Sequence, residues 1–123
     1  MATENKEVEV QENVQTEMPA EEESTEKVYT FKKPIEYNGK KYTTLTSDLE
    51  SLTGQDSMDV EAELVRLRKG IVIEGSLNTD YIIRIFCKAC KEKIGADAFQ
   101  YMSLKDYNRI KTLTRNFLME SGR

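Results

Sequence analysis

The chain has 123 residues, with 18 Lys and Arg against 22 Asp and Glu, two cysteines and no histidine. That length holds one small domain, and two cysteines without histidine fall short of the four ligands of a structural zinc site and lack the commonest general base. No apolar run approaches the roughly 18 residues of a membrane span, and the acidic start is not the basic-then-apolar order of a secretory signal, so the simplest expectation is a cytosolic protein with reduced thiols.

Charge divides the chain in two. Residues 1–26 hold nine glutamates and one lysine, a net of −8, whereas residues 27–123 hold 17 basic against 13 acidic residues, a net of +4. The first stretch lacks aromatics and has almost no apolar periodicity, so it cannot bury enough surface to offset the entropy of ordering. It reads as a disordered acidic tail, and residues 27–123 as a single small α+β domain.

The domain opens on a hairpin, about 28–46. Asn38-Gly39 lies between two runs rich in aromatic and β-branched residues, and this dipeptide tolerates the positive φ that a type I′ turn needs at both central positions. That turn sets Tyr37 against Lys40, Glu36 against Lys41 and Ile35 against Tyr42. Phe31, Ile35 and Tyr42 then share a face, while Leu45 falls on the other, which predicts a bulge or an early strand end near Leu45. Pro34 fits a strand with a free edge. A lone hairpin is marginal in water, so it must lie on helices.

Three helices follow. Thr53 with Asp56 makes a capping pattern for a helix at about 54–68, with an apolar stripe of Met58, Ala62 and Val65 beside Leu64 and Leu67, and Gly70 as its stop. Ile71-Val72-Ile73 reads as extended. A second helix, about 79–94, carries a wide apolar face that includes Ile82, Phe86, Ala89, Cys87 and Cys90, with Arg84, Lys88 and Lys91 as a basic line on its polar side. Ala96–Met102 forms a short connection of about one turn. The third helix, about 103–119, is the best specified. Ser103 and Asp106 repeat the capping pattern, and Leu104, Tyr107, Ile110, Leu113, Phe117 and Leu118 recur at helical spacing. The fold class is thus a β-hairpin packed on three or four α-helices.

Chemistry-bearing motifs are sparse. Cys87-Lys88-Ala89-Cys90 is a lone CxxC placed within a helix on its apolar stripe, where it reads as buried structural thiols rather than as the helix-opening redox motif. The carboxylates around Asp56 and Glu63 serve capping and dipole roles. Neither a phosphate-cradling loop nor a nucleophile–histidine arrangement is present in the sequence.

The order of these features has a counterpart. Lys33-Pro34-Ile35-Glu36-Tyr37-Asn38-Gly39-Lys40-Lys41-Tyr42, then Leu52-Thr53-Gly54-Gln55-Asp56, then a closing helix ending Asn116-Phe117-Leu118, resembles the Mu-like tail assembly chaperones of tailed bacteriophages and prophages. The similarity spans roughly residues 28–119. The acidic tail has no counterpart in it, and the Ile71–Ser76 insert falls where that family varies. The resemblance implies a phage-encoded protein of the host cytoplasm, absent from the finished virion. Such a protein binds the tape measure protein, keeps its apolar helices soluble and helps recruit tail tube subunits. It implies no catalytic residue, cofactor or metal, no nucleic-acid or membrane partner, and leaves room for self-association. Tyr107, Phe117 and Leu118, at the end and side of the closing stripe, are the expected partner-binding residues. Two other readings stand beside it. One is a nucleic-acid-binding regulator using Arg84, Lys88 and Lys91 with the tail as autoinhibitor, and the other a redox or metal enzyme using Cys87 and Cys90.

Overall fold

A computed structural model describes residues 24–121. Strands β1 (Lys27–Tyr37) and β2 (Lys40–Ser47) form an antiparallel hairpin, and α1 (Gly54–Arg66), α2 (Thr79–Ala89) and α3 (Leu104–Ser121) follow, linked by short 3-10 turns at Leu49–Ser51, Gly75–Leu77 and Ala96–Tyr101. The α+β architecture of a hairpin on three helices is the expected one. Residues 1–23 of the expected disordered tail lie outside the described residues. The last three residues of that stretch are described and are tied to the body. The Thr25 hydroxyl bonds to the Asp48 carboxylate, and Glu26 pairs with Lys91 at 2.7 Å.

The turn forms as its chemistry demands. Asn38 and Gly39 both take positive φ, 52° and 76°, and the register pairs Tyr37 with Lys40, Glu36 with Lys41 and Ile35 with Tyr42. The expected irregularity is present but sits on the other strand. Pairing shifts between Thr30 and Ile35, so that the four residues Phe31–Pro34 oppose the single residue Thr43. Pro34 belongs in such a bulge, because it has no amide to give to the ladder. Leu45 lies beyond the shift opposite Tyr29 and is completely buried.

The outer edge of β2 is covered, not free. Lys91 donates its amide to the Thr46 carbonyl at 2.8 Å, and Asp48 donates to the Ala89 carbonyl at 2.9 Å. The Glu92 carboxylate accepts the Thr46 amide at 2.8 Å. This edge pairing ends α2 at Ala89, five residues before the expected stop. Cys90 is extended and bridges Ser47. A strand-like contact cannot be made by helical backbone, so the helix gives way where the hairpin claims its peptide groups.

Helix α1 departs from its expected stripe. Val60 and Leu64 are buried, whereas Met58, Ala62, Val65 and Leu67 are exposed. The helix also ends before Gly70. Arg68 adopts a left-handed φ of 62°, its amide reaches the Val65 carbonyl at 3.0 Å, and the Lys69 amide reaches the Leu64 carbonyl at 2.8 Å. These paired bonds make a Schellman C-cap with arginine where glycine is usual. Ile71 and Ile73 form no strand among the described residues and stand in solvent, while Val72 between them packs inward.

Two clusters make up the core. One joins Phe31, Ile35 and Leu45 of the hairpin to Phe86, Phe99 and Ile110. The other joins Val60 and Leu64 of α1 to Tyr81 and Ile85 of α2, with Leu113, Phe117 and Leu118 of α3 packed against it. Helix α2 contributes to both and stands between α1 and α3.

Candidate partner-binding site

The site is built by the way α3 is pinned to β1. Ser103 caps the helix, its hydroxyl accepting the Asp106 amide at 3.2 Å. The Asp106 side chain, instead of facing water as an ordinary first-turn carboxylate, is completely buried. One of its oxygens accepts the Lys32 amide at 3.0 Å and the Tyr29 hydroxyl at 2.8 Å. The other accepts the Lys33 amide at 3.1 Å and the Ser103 hydroxyl at 2.9 Å. The bulge turns the Lys32 and Lys33 amides toward α3, and the carboxylate satisfies both. Burial pushes the Asp106 carboxyl up, but the amide and hydroxyl donors outweigh it and hold the group below its ordinary value of 3.8. Tyr29 responds in the opposite sense. Burial, then its bond to Asp106, pushes its phenol up to about 12.

With α3 held in this way, a groove opens along its outer side against β1. Its first part, about 470 Å³, lies between Tyr29 and the α3 residues Asn108, Arg109 and Thr112. Its second part, about 530 Å³, has Leu49 and Phe117 as apolar floor and Lys27, Glu50 and Glu120 on its rim. Leu113 and Asn116 line both parts, so the two are continuous. The floor is the outer skin of the second core cluster, which no other described residue covers. Chemically, the groove offers apolar area with a rim of mixed charge and three hydrogen-bonding side chains one turn apart, Asn108, Thr112 and Asn116.

The structure separates the three expected partner-binding residues. Phe117 is on the groove floor. Tyr107 faces the hairpin cluster, edge-on to Phe99 with ring centroids 6.2 Å apart and Lys111 over its ring at 4.8 Å. Leu118 packs on the second cluster away from both parts of the groove. Leu104, expected on the stripe, is 73% exposed, and the buried line of α3 runs instead through Asp106, Ile110 and Thr114. Two of those three are polar, which is why apolar periodicity misjudged the helix. Leu49 and Tyr29 carried no sequence signal for a site. The row of small polar side chains Asn108, Thr112 and Asn116 was the one available hint.

The competing sites are occupied by other duties. Arg84 pairs with Glu63 at 3.1 Å and Asp80 at 3.4 Å, Lys88 with Asp59 at 3.7 Å, and Lys91 with Glu26. Cys87 lies in the last turn of α2 and Cys90 just past it, so the pair is not in mid-helix. Both thiols are free. Burial pushes Cys87 up to about 12 and raises Cys90 as well, so neither is a ready thiolate. Among the described residues, no group of three or more His, Cys, Asp or Glu side chains is placed to hold a metal, and no helix is long and apolar enough to cross a membrane. Comparisons with protein-family models, with curated proteins and with solved structures give no match.

Proposed function

We propose that this protein is a non-catalytic tail assembly chaperone, and that the groove beside α3 takes up an apolar helical segment of the tape measure protein. The observation that carries the reading is the groove itself: a floor of half-buried Leu113 and Phe117 over buried Leu49, under a polar rim. Amphipathic helices are bound in such grooves by laying apolar anchors on the floor and leaving polar residues at the rim. The partner is read from the order of hairpin, capping motifs and closing helix, and the same resemblance implies the host cytoplasm and absence from the finished virion. Recruitment of tail tube subunits belongs to this reading. The runner-up is a nucleic-acid-binding regulator; it would use Arg84, Lys88 and Lys91 after releasing them from the carboxylates they pair with, and Lys91 pairs with Glu26 of the acidic stretch, as an autoinhibitory tail would.

The test is co-expression with the cognate tape measure protein, which should be soluble only when this chain is present. Asn116 is exposed and lines both parts of the groove, so Asn116→Trp should block it while leaving the melting transition in place, and solubilisation should be lost. Phe117→Asp should do the same, but it is interpretable only if circular dichroism shows a folded protein. A folded Asn116→Trp variant that still solubilises the partner moves the site elsewhere. A wild type that never does so ends the chaperone reading.

A further inference from the structure

Helix α1 has two apolar faces, and only one is used. Val60 and Leu64 are buried against α2. Met58, Ala62 and Val65 form a second row at i, i+4 and i+7. At 3.6 residues per turn this row lies roughly 150° around the helix from the buried pair. Met58 is 61% and Val65 57% exposed, and Ala62 is exposed between them. Past the helix end Ile71 is 79% and Ile73 93% exposed. Isolated exposed apolar residues need no explanation, but a row along one face of a helix marks a contact surface.

The charges beside the row identify the occupant. Asp59 and Arg66 lie on the same flank of it, seven residues apart, and their midpoint falls at the centre of the row, next to Ala62. When two copies of α1 are laid antiparallel about a two-fold axis at Ala62, Asp59 of each meets Arg66 of the other, twice. A self-complementary patch of this kind is what an isologous dimer requires. Ala62 at the axis lets the helices approach closely. Arg66 has no ionic partner among the described residues. Asp59 accepts from the Gln55 side-chain amide on Oδ1 at 2.9 Å and faces Lys88 on Oδ2 at 3.7 Å, but its side chain is 49% exposed and each carboxylate oxygen keeps a second lone pair for an arginine N–H.

We propose that the protein forms a two-fold symmetric homodimer through the outer face of α1, with Met58, Ala62 and Val65 at its centre and reciprocal Asp59–Arg66 pairs on its flank. Because α2 stands between α1 and α3, the α3 groove of each copy stays open in the dimer. The assembly stands independently of what that groove binds.

Sedimentation velocity and light scattering on the full chain test it. Wild type should approach twice the 14.2 kDa chain mass as concentration rises, and more weakly at high salt. Val65→Asp should weaken association by at least about tenfold with an unchanged melt, since Val65 contributes nothing to the core. The decisive measurement mixes two variants. Asp59→Arg and Arg66→Asp each place like charges across the axis and should each be mostly monomeric. Mixed in equal amounts they restore two opposite-charge pairs and should dimerise with each other, a recovery that a purely structural role of either residue does not produce. The proposal is overturned if wild type stays monomeric into the millimolar range, if Val65→Asp dimerises as wild type does, if the mixture fails to recover, or if Asn116→Trp and not Val65→Asp dissolves the dimer.

Discussion

The starts of α1 and α3 carry the same four-residue pattern, Thr53-Gly54-Gln55-Asp56 and Ser103-Leu104-Lys105-Asp106, yet the two aspartates lead different lives. Asp56 turns back to the Thr53 amide at 2.8 Å and remains within its own helix end at the surface. Asp106 is turned into the protein, where it accepts two bulge amides and the Tyr29 hydroxyl from more than 70 residues away in sequence. The first is a local cap. The second is a tertiary clamp that happens to use a capping residue. The lesson is that a capping motif specifies where a helix begins, while the value of its carboxylate depends on what the rest of the chain brings to it. At α3 the chain brings a four-residue bulge in which the Lys32 and Lys33 amides pair with the carboxylate.

The largest effect should come from removing the clamp. Asp106→Ala leaves two part-buried amides and the part-buried Tyr29 hydroxyl without their acceptor, and should lower stability by about 2–4 kcal/mol in urea unfolding. Asp56→Ala, the matched change at the other helix, sets the scale for an ordinary cap. Similar losses at the two sites would erase the distinction drawn here. Asp106→Asn keeps an acceptor but loses the charge, and it reports on pH. Because the folded carboxyl sits below its ordinary value, its contribution is fully present above the unfolded pKa near 3.9 and is lost as pH falls through the lower folded pKa. The stability gap between wild type and Asp106→Asn should therefore be constant near neutrality and narrow as pH drops below about 4. A gap that does not change with acid would mean that the carboxylate is not ionised in the fold.

Tyr29→Phe removes one of the four donors to Asp106 and leaves the ring in place. A loss of about 1–1.5 kcal/mol is expected, readable as a lower midpoint at unchanged slope. The effect should vanish in an Asp106→Ala background, since the bond is already gone. Asp56→Ala should cost only about 0.5–1 kcal/mol. The smallest effect has the opposite sign. Arg68 holds the left-handed position of the α1 C-cap, and Arg68→Gly should raise stability by roughly 0.5–1 kcal/mol because glycine adopts that φ without a Cβ penalty. A gain there would show that both ends of α1 obey local rules, unlike the start of α3.

Much of the fold was legible because the signals involved are short-range. The Asn38-Gly39 turn and its cross-strand pairs depend on two residues and a period of two, and they formed in the expected register. The starts of α1 and α3 depended on caps within a few positions, and α2 proved to be capped by Asn78, whose side chain accepts the Tyr81 amide at 2.9 Å. Stops were less legible. Helix α2 stops at Ala89 because β2 takes up the following backbone, and no residue type in Cys90–Ile94 announces that. The stripe of α1 was misplaced for a related reason. Met58, Ala62 and Val65 show helical periodicity as good as that of Val60 and Leu64, and nothing in a periodic pattern says which of two apolar faces the core will choose.

The candidate site shows the same boundary. Phe117 was legible, being a large apolar residue near the end of the closing helix, and it lies on the groove floor. Tyr107 and Leu118 are also large side chains at helical spacing but have a different angular position on α3, so they pack on the hairpin cluster and the second core cluster. Leu49 and Tyr29 reach the groove from a turn and a strand distant in sequence. What the sequence determined by itself was the inventory of elements, the hairpin register and the capped helix starts, because each is decided by backbone geometry within a few residues. What only the tertiary structure decided was which faces are buried, where α2 ends and where the groove lies, because these follow from competition between distant segments for the same peptide groups and the same apolar area.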